Sequence, residues 1–224
     1  MKPEQMQFQG SQVARVPNIP GIYAWYYKPL VINAENIGNV LSSFFKESGE
    51  ISSEIKMRYG LRFVSNSFVE TVYGSRHESI EDILSDSILS ADQFLVDLFK
   101  SNALFFFTRP IYIGIAKNLY ERIYSQHYLS ISELWDDDSS VSRHLKYFPE
   151  ATTQEVIKKL GINHSFALEA RVRRIPLRDL MVHIFPTESI PADALEDDSE
   201  ESNPSRRALE KLLQLISDPI CGRQ

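Results

Sequence analysis

Cysteine and long apolar runs are scarce in this chain of 224 residues. The single cysteine, Cys221, cannot form a disulfide within the chain, and it cannot by itself build a zinc site of several thiolates. No apolar run approaches the roughly 18 residues that a membrane helix needs, and no basic and then apolar leader opens the sequence. We therefore expect a soluble, cytoplasmic protein that has no membrane partner and folds around an ordinary hydrophobic core.

Basic side chains are in deficit, with 24 Lys and Arg against 30 Asp and Glu. The resulting net charge of −6 argues against a nucleic-acid partner, because phosphate binding depends on clustered Lys and Arg. The deficit is uneven, since residues 101–185 carry 11 basic and 9 acidic side chains while residues 186–224 carry 4 and 9. The middle of the chain is therefore slightly basic, and an acidic surface loop is expected at 190–203.

Hydrophobic periodicity predicts a single α/β domain of the α+β kind over residues 1–224, with a small mixed β-sheet flanked by helices. The strands are expected to begin at Gly21, Leu104, Pro110 and Leu180. Residues 29–107 follow mainly helical spacing, apart from an ambiguous stretch after Leu61. The first 20 residues have no clear period and are expected to form a partly ordered arm.

Helices are predicted over Thr152–Leu160, with a threonine cap, and from Pro204 to just before Pro219. The apolar stripe of the later helix consists of Leu209, Leu212, Leu213 and Ile216. The segment Phe166–Ile175 fits either a half-buried strand or a helix that begins at Ser165.

Two tripeptides are the most informative motifs: Gly21-Ile22-Tyr23 on the first predicted strand and Tyr112-Ile113-Gly114 on a later one. Arg122 lies ten residues after Tyr112, and His127 follows it by five. Glu210 lies on the last helix, nine residues before Pro219. This ordered set resembles the GIY-YIG nuclease family. If so, residues 29–107 are an insertion between two strands that pair, and its role is open between substrate recognition and oligomerisation.

The resemblance implies a divalent-metal-dependent endonuclease that hydrolyses phosphodiester bonds in DNA, with RNA not excluded. It implies Tyr23 as general base together with Tyr112, Arg122 on the scissile phosphate, and Glu210 as ligand of Mg²⁺ or Mn²⁺. It places His127 near where many members carry a histidine or tyrosine, with Tyr124 and Gln126 as competitors. A homodimer is possible in this interpretation.

Each role agrees with the chemistry of its side chain. A single carboxylate is enough for Mg²⁺, which retains waters and takes further ligands from phosphate. An arginine can hold the charge of the transition state with two parallel hydrogen bonds. A tyrosine is a harder base, because its ordinary pKa near 10 leaves it ~0.1% ionised at neutral pH.

The substrate-binding residues are expected to be Gly114, Lys117, Arg171 and Arg173. Gly114 is assigned to a turn. Lys117 is the nearest substitute for the lysine that the family commonly has directly after the second glycine, where this chain has Ile115. The basic cluster around Arg171 and Arg173 is interpreted either as a phosphate track or as a solvated face.

Several alternatives remain open at this stage. Glu169 is a second candidate metal carboxylate, or else a partner of Arg171 or Arg173. The histidines without metal-ligand spacing are interpreted as structural or surface residues: His144, His164 and His183. Ile115, and Gly222 where the family often has asparagine, also allow a catalytically impaired module that binds nucleic acid or protein, or an oligomerisation protein.

Overall fold

The computed structural model describes residues 6–33, 36, 37, 40, 43, 51–55, 61–65, 93–102, 104–186, 204–217 and 219–221. Much of the predicted helical block at 29–107, the expected acidic loop at 190–203 and Gly222 lie outside these residues.

The strands form a four-stranded sheet in the order β1-β6-β2-β5 and a separate hairpin of β3 and β4. Their bounds are β1 Met6–Gln9, β2 Gly21–Tyr27, β3 Ile51–Ile55, β4 Leu61–Ser65, β5 Tyr112–Ala116 and β6 Leu180–Pro186. All neighbouring strands are antiparallel, so the α+β class is confirmed while the expected mixture of strand directions is wrong. The insertion leaves β2 and returns to β5 at the same end of the sheet, which makes these two strands antiparallel.

The helices lie mainly in the second half of the described chain. Their bounds are α1 93–100, α2 Leu104–Phe107, a π-helical segment Glu121–Tyr128, α3 Leu129–Trp135, α4 Ser140–Tyr147, α5 Thr153–Leu160, α6 Phe166–Val172 and α7 Pro204–Ser217. Short 3-10 turns cover Gly10–Arg15 and Leu177–Asp179. Among the described residues, no helix combines the length and apolar character of a membrane span.

Side-chain caps explain where several helices begin. Thr152 and Glu155 form a reciprocal capping box at the start of α5, and Gly161 ends it at φ 66°, as predicted. Ser165 accepts the Leu168 backbone N–H at the start of α6. The segment that fitted either a strand or a helix is therefore a helix, because a satisfied cap outweighs the alternation of its first residues.

One local prediction is wrong, and the structure adds detail to two others. Leu104–Phe107 forms the short helix α2 rather than a strand, since a run of four apolar residues fits both structures and the Thr108 hydroxyl donates back to the Leu104 carbonyl at 2.9 Å. The expected arm contains β1, which pairs with β6. The mainly helical insertion also contains the β3–β4 hairpin.

The core lies on one face of the sheet. Tyr23, Trp25 and Tyr27 of β2 are buried there, while the alternate side chains of the strand are half-buried. The same hydrophobic cluster includes Val96 and Phe99 of the insertion. On α7 the predicted apolar stripe is only partly correct, because Leu212 is 52% exposed and Ile216 is 74% exposed.

Candidate active site

Strand pairing brings the two motif tyrosines together across 89 positions of sequence. In the β2–β5 register, Tyr23 lies opposite Gly114 and Trp25 lies opposite Tyr112. The two phenol rings are on the same face of the sheet, with centroids 6.1 Å apart. The predicted pairing of the two motif strands is therefore confirmed.

Gly114 lies inside β5 and not in a turn, which corrects its predicted position. A Cβ atom at this residue would lie 2.5 Å from the Tyr23 hydroxyl oxygen and 2.7 Å from Tyr23 Cζ. The missing side chain therefore makes the space that the Tyr23 ring occupies.

The π-helical segment positions Arg122 and His127 together. In an ordinary α-helix, residues i and i+5 point about 140° apart around the axis. In a π-helix residue i+5 is instead the hydrogen-bond partner of residue i, so the two lie on neighbouring turns of one face. Both residues of this chain consequently face the tyrosine pair.

A hydrogen-bond network joins these side chains. Tyr23 Oη lies 2.9 Å from His127 Nε2, and the Arg122 guanidinium bonds to the hydroxyls of both Tyr23 and Tyr112. Because arginine can only donate, the Tyr23 oxygen accepts from Arg122 and its own proton is available to His127. Gln126 accepts a further bond from Arg122.

His127, and not Tyr124, takes the place beside the tyrosines. The ring of His127 lies 5.2 Å from that of Tyr112, centroid to centroid. Tyr124 stacks instead with its helix neighbours Tyr120 and Tyr128 and is not in the described lining of the adjoining cleft.

Burial controls the protonation of this network. It raises the pKa of Tyr23 well above the usual value, an effect that Tyr112 strengthens and Arg122 opposes. Burial and the Glu210 carboxylate raise the pKa of Tyr112. Burial, with the Arg122 charge, lowers the pKa of His127 to about 3. At neutral pH both phenols keep their protons and the imidazole is neutral.

A cleft of about 1350 Å³ opens beside the network. Its described lining comes from β5, the π-helical segment, α3, the start of α4, the loop before α6, the start of α6, and α7 with the residues after it. Its polar side chains include Tyr112, Arg122, Gln126, His127, Glu210 and Lys211. The residues after α7 are fixed to the sheet, because the Cys221 backbone N–H donates to the Ile111 carbonyl at 2.7 Å.

Tyr23 does not belong to this lining. Only 1% of its surface is exposed, so it stands behind Tyr112, Arg122 and His127 as seen from the cleft. Phe166 closes the wall beside Tyr112 and His127. Its ring centroid lies 5.1 Å from that of Tyr112 and 5.4 Å from that of His127. No sequence pattern predicts this contact, since the segment that contains Phe166 fits either a strand or a helix.

The side chains of Arg171 and Arg173 make contacts within the fold, and these contacts do not support the predicted phosphate track. Arg173 is 4% exposed, with its Nε 3.4 Å from Glu169 Oε2. Arg171 donates to the Leu134 carbonyl and to the Ser142 hydroxyl and lies over the Trp135 ring at 4.2 Å. These arginines tie helices together.

Lys117 and Ile115 also lie away from the cleft. Ile115 is buried and pairs with Ile22 on the face opposite Tyr23 and Tyr112. Lys117 follows the far end of β5 and is not in the described lining. Lys117 therefore does not contribute to the described lining of the cleft beside the tyrosines.

Metal ligands are few at the site. Among the described residues, no group of three or more His, Cys, Asp or Glu side chains could enclose a metal ion. Glu210 lines the cleft and its charge acts on Tyr112, and Mg²⁺ is commonly held by one or two carboxylates together with substrate phosphates. Glu169 is not such a ligand, since it pairs with Arg173 and His164, as its alternative interpretation predicted.

Comparison of the chain with family models, with curated proteins and with solved structures gives no match.

Proposed function

We propose that the protein is a divalent-metal-dependent endonuclease of the GIY-YIG type that hydrolyses phosphodiester bonds in DNA. The observation that carries the proposal is the arrangement of Tyr112, Arg122, His127 and Glu210 on the walls of one cleft. These residues come from three elements, β5, the π-helical segment and α7, and each has a chemistry that this hydrolysis requires.

Arg122 binds the scissile phosphate. Its guanidinium already donates to two phenolic oxygens, so its direction and rotamer are fixed before substrate arrives. Donors held in place in this way stabilise the charge that develops on the phosphate without reorganising during the reaction.

Tyr112 meets the attacking water, and Tyr23 supports it from behind. This assignment shifts the base from Tyr23, because Tyr23 is 1% exposed and burial holds its pKa well above the usual value. Tyr23 keeps a positioning role through its contacts with His127 and Arg122.

Glu210 supplies the carboxylate for the cation. A divalent ion there would neutralise the charge that raises the pKa of Tyr112 and would offset the negative charge of the phosphate. The single carboxylate predicts weak binding of Mg²⁺ or Mn²⁺ without DNA, because most ligands then come from water and phosphate.

The test is cleavage of supercoiled plasmid and of linear and branched duplexes in Mg²⁺ or Mn²⁺, followed on gels. Wild type is expected to nick DNA, and Glu210→Gln and Arg122→Ala are each expected to lower the rate at least ~100-fold. Glu121→Gln and Arg143→Ala are matched controls, since both residues are exposed and lie outside the described cleft lining.

Undiminished cleavage by both cleft variants would remove the site assignment. Binding of the same DNA with no cleavage by wild type in either metal would favour the non-catalytic binding module instead.

A further inference from the structure

His164 belongs to the loop before α6 and lines the same cleft. It lines the cleft wall two residues before Phe166, whose ring contacts both Tyr112 and His127. Its side chain is 25% exposed, so it is accessible to a bound substrate.

A buried carboxylate holds the His164 ring in place. Nε2 of His164 lies 3.0 Å from Oε1 of Glu169, whose side chain is only 3% exposed. An ionised carboxylate can only accept, so Nε2 carries a proton and Nδ1 is the nitrogen left for substrate. A histidine oriented by a carboxylate is the usual arrangement for proton transfer in active sites.

Arg173 completes this arrangement from the core. Its Nε lies 3.4 Å from Oε2 of Glu169, and its Nη1 donates to the Ser43 carbonyl at 3.3 Å. The guanidinium therefore lies against the same carboxylate that holds the imidazole. The conformation of His164 is therefore fixed by two residues that never reach the cleft.

We propose that His164 is a catalytic acid that protonates the leaving oxygen of the phosphodiester. This inference rests on the proposed nuclease function. Phosphodiester hydrolysis needs a proton donor as well as a base, and a sugar alkoxide leaves poorly without one. Histidine is the side chain best suited to pass a proton near neutral pH.

The neighbouring side chains do not compete well for this task. Burial holds His127 neutral, and its Nε2 is engaged with Tyr23. Arg122 keeps its protons at any ordinary pH. Lys211 lines the cleft but is exposed on α7, and among the described residues no buried carboxylate is shown to orient it.

The step balances as follows. The attacking water forms the new P–O bond and gives one proton to the base, while the bond from phosphorus to the sugar oxygen breaks. His164 enters the step as the imidazolium, with a proton on each ring nitrogen, and the sugar oxygen takes the proton from Nδ1. Nδ1 is left with its lone pair, and the Nε2 proton stays on the bond to Glu169.

The experiment compares a poor and a good leaving group in the full-length protein. Plasmid nicking releases a sugar oxygen that needs a proton, whereas bis(p-nitrophenyl) phosphate releases p-nitrophenolate, which leaves as an anion. His164→Gln and His164→Asn are expected to slow plasmid nicking about 100-fold and hydrolysis of the nitrophenyl ester less than about threefold. His144→Gln is the matched control, because His144 lies on α4 outside the described cleft lining.

Other outcomes separate the two proposals. An equal loss on both substrates, or no loss on either, would overturn the role of His164 while leaving the nuclease intact. A wild-type protein inactive on both substrates in Mg²⁺ and Mn²⁺ would instead count against the nuclease function itself. Melting curves of each variant show whether a loss of activity follows from unfolding.

Discussion

The Tyr23 hydroxyl occupies the space that a side chain on Gly114 would fill, 2.5 Å from the position of the missing Cβ. The two residues are direct partners across β2 and β5. One tyrosine of the first motif therefore needs the glycine of the second for steric reasons, whatever chemistry the site performs.

Gly114→Ala is expected to destabilise the fold by about 1–3 kcal/mol, because the new methyl group must displace the buried Tyr23 ring. Nuclease activity should fall with it, since Tyr23 holds His127 and Arg122. Urea unfolding and plasmid nicking measure the two effects. Gly161→Ala is the control: at φ 66° it costs about 1–2 kcal/mol in backbone strain and should not affect cleavage beyond that. Equal stability of G114A and wild type in urea would contradict the steric argument.

Tyr23→Phe removes a hydroxyl that bonds to His127 and Arg122. A buried imidazole nitrogen then lacks its partner, which costs about 1–3 kcal/mol. Cleavage should fall less than in Tyr112→Phe, because only Tyr112 of the pair lines the cleft. Kinetics of the two variants at one metal concentration decide this, and a larger loss in Y23F would return the base to Tyr23.

Arg173→Ala should act on stability rather than on DNA affinity. It leaves the buried Glu169 carboxylate without its guanidinium partner. Such a loss typically lowers the free energy of unfolding by about 3–5 kcal/mol. Arg171→Lys is expected to lower stability less. It loses the guanidinium hydrogen bonds to the Leu134 carbonyl and the Ser142 hydroxyl but keeps the positive charge. If Arg171 instead contacted a phosphate, Arg171→Ala would reduce the salt dependence of DNA binding by about one unit of slope, and we expect no such change.

Alkaline pH should destabilise the protein through buried acids. Burial raises the pKa of Tyr27 from 10.0 to about 12 and that of Cys221 from 9.0 to about 12. Each group contributes its full stabilisation below its pKa in the unfolded chain. That stabilisation is lost as the pH rises through the folded-state pKa of about 12. Between the unfolded and the folded pKa of each group, the free energy of unfolding should thus fall by ~1.4 kcal/mol per pH unit. Urea titrations at pH 8 to 11 measure the slope, and Tyr27→Phe should make it shallower above pH 10.

Acid pH should also destabilise the protein, through the buried His183. Burial, with the nearby Lys28, lowers the pKa of His183 from 6.5 to about 4. Its contribution is complete above pH 6.5 and is lost as pH falls towards 4, again by ~1.4 kcal/mol per unit. His183→Gln should remove part of the acid slope between these values, and an unchanged slope would contradict the assignment.

Short motifs predicted much of the site. Tyr112, Arg122, His127 and Glu210 line one cleft as their order along the chain indicated, with Tyr23 directly behind. The pairing of β2 with β5 followed from the same motifs, since their tyrosines need neighbouring strands.

Features that depend on tertiary packing could not be predicted in this way. The pattern after Leu119 fits helix spacing, but nothing in it distinguishes an α-helix from a π-helix, and only the latter aligns Arg122 with His127. Arg171 and Arg173 form a dense basic cluster in sequence, yet their partners Ser142 and Ser43 come from distant segments. His164 gave no signal because its partner Glu169 lies five residues on, a spacing that is uninformative until Ser165 starts a helix.

The insertion between β2 and β5 changes how the sheet can assemble. Its 84 residues, 28–111, separate two adjacent strands, so the central pairing is a non-local contact of the kind that slows folding. Replacing it with a ten-residue loop would lower the closure entropy by about 2 kcal/mol. Val96, Phe99 and Leu104, however, lie in the same core as Tyr23 and Trp25, so the shortened chain would close faster around an incomplete interior. The part of the insertion that carries Val96, Phe99 and Leu104 is therefore scaffold that a minimal domain would have to keep.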